Sequence, residues 1–373
     1  MYQALYHDKE ESQYYLRDDR WDGFKTVKYY PTYYVADEDG EHFTLEGTRV
    51  SPVRKMDDWK DPKYFEKDVD KLTRFLVDHY YETDDTPKSH NIVYLDIECV
   101  IAGALTEENI KDPKGEITAI ALYDHNTKKY FFLVLDKAGK MDVAHSEGKV
   151  IMPYTSEKEL LSGFLDKWYE LDPTIITGWN SGFFDIPYLY YRIKKVLGET
   201  LANSLSPIGK IKFTPQFPEQ PVNLAGINHL DYMLLFKKYI MKQEPSYRLG
   251  DIGKKYAKLE KIKYEGSLDK LFAEDVDKFI EYNLRDVEII VELENRMKFI
   301  ELTITIAHLC HTEYEAIYFS TMLNEGAILT YLKRKGIISP NKPTTYNPAL
   351  RTLQEEYAGG YLKDPTPGLY EWV

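Results

Sequence analysis

The chain is 373 residues long, 43% hydrophobic, with two cysteines and a formal net charge of −13. That length predicts two or three domains with real cores. Cys99 and Cys310 are too few for a disulfide framework, and no apolar run approaches the ~20 residues that span a bilayer. The N-terminus lacks the basic-then-apolar order of a signal peptide, so a soluble protein in a reducing, intracellular compartment is expected. The acidic balance argues against nucleic-acid binding through a globally basic surface. It leaves local doublets such as Lys194 and Lys195, Lys237 and Lys238, and Lys254 and Lys255 as candidate phosphate contacts, although most such doublets are solvated helix faces.

In chain order, residues 27–35 and 41–50 read as strands of a hairpin turning at Asp39 and Gly40. Residues 62–81 have helical spacing, with Phe65, Leu72, Phe75, Leu76 and His79 on one side. The turn-rich stretch 83–91 marks a boundary, giving residues 1–90 as a β-rich α+β N-terminal domain. Residues 92–98, 116–123 and 129–135 are predicted strands, the last two a hairpin through 124–127. A helix is expected over 156–171, with Ser156 and Glu159 as a capping box. A strand over 174–177, a loop, and a helix over 186–197 stopped by Gly198 follow. Strands interleaved with helices make this part α/β. Residues 210–217 and 222–227 read as a projecting hairpin. From Glu274 one long helical pattern runs past Asp286 into the three hundreds. His308 and His311 around Cys310 are read as helical surface with a buried cysteine.

Three short patterns carry chemistry. Asp96 and Glu98 alternate about Ile97 at a strand end, so both carboxylates face one side, and two like charges that close need a cation or a shared proton. Asp185 ends the run Gly178-Trp179-Asn180-Ser181-Gly182-Phe183-Phe184-Asp185 between a strand and a helix, where an N-cap belongs. Tyr282 and Asp286 are four apart on a helix and share a face. Alone, each pattern is more often a solvated edge, a cap or a surface pair. Together they bring four acids and one phenol from three elements of one sheet.

In these residues the chain resembles the exonuclease domain of family-B DNA polymerases, whose three motifs are similar to DIE, NSGFFD and YNLRD here. The runs IITGWNSGFFDIPYLYYRIKKVLGE, HLDYMLLFKKY and QEPSYRLGDIGKKY are similar to the T-even-type phage replicative polymerases. The resemblance implies a ribonuclease-H-like mixed-sheet exonuclease domain over 91–298. It implies further that helices at 299–345 complete the N-terminal domain and that 346–373 begin the palm. Asp96, Glu98, Asp185 and Asp286 become the acids of a two-metal site and Tyr282 the group that orients the attacking water. An all-oxygen donor set suits Mg²⁺ or Mn²⁺, and the chain has no Cys/His cluster for zinc. The implied reaction is 3′→5′ hydrolysis of the terminal phosphodiester of single-stranded or frayed DNA, without a covalent nucleophile.

Asn180 and Phe184 would contact the frayed end, by hydrogen bonding and by stacking. Tyr357, Gly359 and Gly360 resemble the Tyr-x-Gly-Gly element that helps pass the template strand between modules. The hairpin at 210–227 corresponds in position to one that separates primer end from template. Implied partners are single-stranded or primer–template DNA, the remaining polymerase domains in cis or in trans, and a sliding clamp. The implied location is the host cytoplasm for a viral source. The polymerase catalytic motifs that follow in the family are not found before Val373, so no polymerisation is expected from this chain alone. The competing reading is a catalytically silent, nucleic-acid- or partner-binding N-terminal half of a split polymerase. The complete set of five site residues favours catalysis.

Overall fold

The computed structural model describes residues 1–342 apart from 59–60, 101–105, 147, 214–220, 263–265 and 267; Tyr357, Gly359 and Gly360 lie outside the described residues. At its centre is a seven-stranded mixed sheet in the order Ala144–Ser146, Lys149–Tyr154, Lys129–Leu135, Ile117–Asp124, Ile92–Cys99, Ile175–Thr177, Asn228–His229. The strand Ile92–Cys99 is antiparallel to Ile117–Asp124 and parallel to Ile175–Thr177. Its period-two pattern feeds two cores. Val93, Leu95 and Ile97 pack with the helices Glu157–Leu171 and Asp185–Leu197, whereas Ile92 and Tyr94 pack with the helix Val276–Met297. The sheet is therefore a middle layer covered on both faces. Leu160, Leu161 and Phe164 are fully buried, each stabilising the fold by about 2 kcal/mol.

Local signals explain several boundaries. The capping box is present: Ser156 Oγ accepts from Glu159 N–H, and the Glu159 carboxylate accepts from Ser156 N–H. The helix Asp185–Leu197 stops at Gly198, whose φ of 99° is a backbone region that L side chains rarely adopt.

Four expectations are corrected. The strand Tyr33–Ala36 pairs with Arg49–Val53, and His42–Thr44 lies on that strand's other side, so Asp39 and Gly40 do not close a hairpin of neighbours. Gly40 instead lies so close to Val50 that a Cβ would stand 2.5 Å from the Val50 carbonyl oxygen. The first helix is Lys71–Tyr80, because Asp70 caps it by accepting from Leu72 and Thr73 N–H; Tyr64–Phe65 is an edge strand. The long helical pattern is two helices, Val276–Met297 and Phe299–Cys310, broken at Lys298 with φ 58°. Glu294 fixes the break by accepting from Ile300 N–H and Tyr232 O–H at 3.1 and 3.0 Å. His308 and His311 are fully buried, on Tyr314 O–H and on the Tyr80 carbonyl, while Cys310 is half-buried.

The N-terminal strands share a core with the rest. Tyr2 and Phe75 belong to the same buried cluster as Tyr94 and Phe279, and Tyr2 O–H donates to the Ala307 and Thr312 carbonyls. The base of the expected hairpin pairs Ile211–Phe213 with Val222–Leu224; Phe213 lies against Tyr190 and Tyr191, and the tip falls outside the described residues. Among the described residues no helix is long and apolar enough to cross a membrane.

Candidate active site

Asp96 and Glu98 continue the row begun by Ile92 and Tyr94, so they face the helix Val276–Met297 at the end of the central strand. The pairing with Ile117–Asp124 shifts between Glu98 and Cys99, leaving Thr118 unopposed, and Thr118 Oγ1 donates to the Glu98 carbonyl at 3.2 Å. Such a bulge bends the strand and re-aims the side chains beside it.

The second motif completes the strand's other edge. Ile175–Thr177 reaches only to Tyr94 in register, and beyond it the Ile97 N–H donates to Asp185 Oδ1 at 3.0 Å. The expected cap is corrected: the helix begins at Asp185 itself, Phe184 occupies the cap position without a side-chain cap bond, and the Asp185 carboxylate serves the neighbouring strand. Gly178 is required by close approach, since a Cβ there would stand 2.6 Å from the Leu95 carbonyl oxygen. Asn180 is left-handed, with φ 62°.

Its loop is held by Asp231, which sequence reasoning missed. The buried Asp231 accepts from Asn180 N–H at 3.2 Å and Gly182 N–H at 3.0 Å, and from Met233 and Leu234 N–H at the start of the helix Tyr232–Tyr239. An Asp before a helical run signals a cap, but its reach to a loop fifty residues earlier has no sequence signature. Phe184 is half-buried, 5.4 Å from the Tyr188 ring between centroids, and Asn180 is partly exposed.

The third motif faces the first. Asp286 is 6% exposed; its Oδ2 is bonded by Lys261 Nζ, and its Oδ1 is buried without a hydrogen-bond partner among the described residues. Lys261 Nζ also stands 5.7 Å from the centroid of the Tyr282 ring. Lys261 is the second residue that sequence reasoning missed, because a lone lysine in a lysine-rich stretch carries no signal.

Asp96, Glu98 and Asp185 each feel the negative charge of Asp286, and Asp96 also those of Asp185 and Glu98. Burial, then Asp185, Asp286 and Glu98, push the Asp96 carboxyl well above the carboxylate range. Burial and Asp286 push Glu98 up to about 8, against the pull of Lys261. Asp185 rises to about 7, mainly by burial, opposed by its bond from Ile97. Asp286 rises by burial, opposed by Lys261. Four oxygen-donor acids, one with an unpartnered buried oxygen, fit a hard divalent cation. As they stand they form no closed cage: among the described residues no three such side chains converge into a group able to hold an ion.

The lysine doublets are engaged within the chain. Lys194 pairs with Glu199, Lys195 with Asp112, Lys254 with Glu260 and Lys255 with Glu244. Lys237 lies over the Tyr247 ring, and Lys238 donates to Ser320 Oγ.

An α/β sheet with acidic residues at the end of its central strand and on the elements beside it is thus the frame of the candidate site. The sequence matches the family "DNA polymerase family B, exonuclease domain" over residues 65–252, half of the chain, a range that includes Asp96, Glu98 and Asp185 and stops before Tyr282 and Asp286. The DNA-directed DNA polymerase of Escherichia phage RB69 is 32% identical over 228 residues, which is 60% of this chain and 24% of that protein. That of Enterobacteria phage T4 is 26% identical over 222 residues, 58% of this chain and again 24% of the relative. The DNA polymerase of Pyrococcus glycovorans is 26% identical over 323 residues, 82% of this chain and 37% of the relative. The chain belongs to DNA polymerase family B, of which it carries the exonuclease domain.

Proposed function

We propose that the chain is the 3′→5′ proofreading part of a family-B DNA-directed DNA polymerase, hydrolysing the 3′-terminal phosphodiester of single-stranded or frayed DNA at a two-metal site. The observation that supports this is the bond from Ile97 N–H, between Asp96 and Glu98, to Asp185, together with the charge of Asp286 that raises the pKa of all three acids. The strand order through Lys129–Leu135, Ile117–Asp124, Ile92–Cys99, Ile175–Thr177 and Asn228–His229 supports a ribonuclease-H-like assignment. The packing of Tyr2 on Ala307 and Thr312 supports an N-terminal domain made of 1–90 and 299–345, around an exonuclease domain at 91–298; 346–373, outside the described residues, would open the palm.

Asp96, Glu98, Asp185 and Asp286 would hold Mg²⁺ or Mn²⁺, which when bound supplies positive charge for the phosphate oxygens and makes water a better nucleophile. The bond from Ile97 N–H fixes the orientation of Asp185, and Asp286 Oδ1 has no hydrogen-bond donor among the described residues. Lys261 contributes a fixed positive charge beside the acids and the Tyr282 ring. A phenol with an ordinary pKa near ~10 is a poor base at neutral pH, so Tyr282 aims water by hydrogen bonding rather than by taking its proton. Asn180 and Phe184 meet the strand end, and Tyr357, Gly359 and Gly360 pass template strand onward. Primer–template DNA, the remaining polymerase domains and a sliding clamp are the partners this reading assigns, with the host cytoplasm as setting for a viral source.

The test is digestion of a 5′-labelled single strand by the purified full chain. Stepwise shortening from the 3′ end in Mg²⁺ or Mn²⁺, abolished by chelation, is expected. No shortening in either metal would favour the silent, partner-binding half-polymerase.

A further inference from the structure

Across residues 237–248, from the last turn of the helix Tyr232–Tyr239 onward, every exposed charge is positive. Lys237, Lys238, Lys242 and Arg248 are exposed, and the one carboxylate of the stretch, Glu244, is buried and bonded by Lys255 Nζ and Tyr256 O–H. The chain carries a net charge of −13, and its doublets at 194–195 and 254–255 face carboxylates, so this run stands apart. Lys237 lies 4.9 Å from the centroid of the Tyr247 ring and Lys238 donates to Ser320 Oγ, while neither Lys242 nor Arg248 forms an ion pair with a described residue. Cations offset the negative end of a helix, which accounts for Lys237 and Lys238 but not for Lys242 and Arg248 beyond it. Among these cations stands Met241, wholly exposed.

The element that carries these residues is fastened to the motif loop at both ends. Asp231, which caps its helix, accepts from Asn180 and Gly182 N–H, and beyond the helix the Trp179 indole N–H donates to the Tyr247 carbonyl at 3.0 Å. Glu244 N–H donates to the Tyr247 hydroxyl at 3.3 Å, which steadies the turn between Met241 and Arg248. The basic face is thus held beside the loop that leads to Asp185. We propose that residues 237–248 are a track for the single strand on its way to the acids, with phosphates against Lys237, Lys242 and Arg248 and a base against Met241; the proposal rests on the exonuclease reading above. A polyanion whose charges alternate with apolar faces matches cations interleaved with an exposed methionine, and a single strand, unlike a duplex, has its base faces open. Contacts to backbone and to a base face tolerate any sequence. With the 3′ end at the acids, the nucleotides on the track are those 5′ of it, so the patch supplies affinity and direction and takes no part in hydrolysis.

The experiment measures fluorescence anisotropy of 5′-labelled single strands of about 4 and about 16 nucleotides with the full chain, over a range of salt and without divalent cation so that nothing is digested. The wild-type chain should bind the longer strand more tightly. The triple variant Lys237→Gln, Lys242→Gln, Arg248→Gln should lose that gain, and its slope of log affinity against log salt should be shallower by about 2, the value for three phosphate contacts on a single strand. Met241→Ala should weaken binding of the longer strand about threefold with the slope unchanged, since it removes apolar contact and no charge. The control variant Lys88→Gln, Lys128→Gln, Lys129→Gln makes the same change of charge by the start of the central strand and should keep the wild-type slope. A wild-type slope in the triple variant, or an equal flattening in the control, overturns the assignment; the first result would leave the face to an acidic protein surface. The expected slopes together with no shortening of ordinary strands in Mg²⁺ or Mn²⁺ would instead count against the exonuclease reading and leave the track standing.

Discussion

Lys261 and Asp286 are joined by an ion pair that neutralises one oxygen of a carboxylate whose other oxygen is buried without a hydrogen-bond partner among the described residues. The ammonium is thus the counter-charge that the site carries from its own chain, and it lowers the pKa of Asp96, Glu98 and Asp286 alike. Lys261→Met should therefore lower the melting temperature of metal-free protein at pH 8, by several degrees. It should also enlarge the stabilisation gained on adding Mg²⁺. Calorimetry with and without Mg²⁺ checks both, and an unchanged metal-free melting temperature would show that the pair carries no net load.

The raised acids also set a pH dependence. A carboxyl whose pKa is higher folded than unfolded keeps a proton that the unfolded chain releases. Its destabilising effect is absent below the ordinary range near ~4 and grows until the folded value is passed. For Asp185 and Glu98 those folded values are about 7 and about 8. Metal-free protein should lose stability from pH 5 to pH 8. Asp96→Asn with Glu98→Gln should lose less over the same interval, so that the difference between the two isolates the site from other buried groups such as Glu313 and His308. Parallel thermal curves for both proteins would contradict the mutual repulsion of the acids.

Asp231 holds the motif loop through four N–H donors, two from Asn180 and Gly182 and two from its own helix start. Asp231→Ala leaves those donors without their acceptor and should cost on the order of 3 kcal/mol of stability. Asp231→Asn, which retains one acceptor oxygen, should recover part of it. Denaturant unfolding measures this, and a loss under 1 kcal/mol for the alanine variant would mean that water replaces the carboxylate readily.

Tyr282→Phe removes a hydroxyl and leaves the ring beside Lys261. Aiming water is worth less than supplying charge, so the single-turnover rate should fall on the order of 10- to 1,000-fold with Mg²⁺ dependence and DNA affinity nearly unchanged. If the variant lost its metal response as completely as Asp96→Ala, Tyr282 would be supporting the site's structure instead.

The elements that carry the candidate site are legible because their residues obey local periodicities. Asp96 and Glu98 follow from the two-residue repeat of a strand, Tyr282 and Asp286 from the four-residue repeat of a helix, and the capping box at Ser156 from a fixed three-residue offset. The misses needed distance. Asp231 and Lys261 act on segments far away in sequence, and the short strands Lys149–Tyr154 and Asn228–His229 exist because a neighbouring strand offers an edge. The break at Lys298 escaped notice because a lysine, not a glycine, takes the left-handed conformation there. Asp185 departs from its local expectation: Phe184 stands at the cap position, and the Asp185 carboxylate satisfies Ile97 across the sheet.

The most direct measurement is single-turnover digestion of a 5′-labelled single strand by the wild-type chain and by the Asp96→Ala, Glu98→Ala double variant, both verified as folded. Shortening from the 3′ end that requires a divalent cation in the wild type and is lost, by at least about 1,000-fold, in the double variant is predicted. Near-normal digestion by the purified double variant would contradict the assignment of these acids and with it the account of the site.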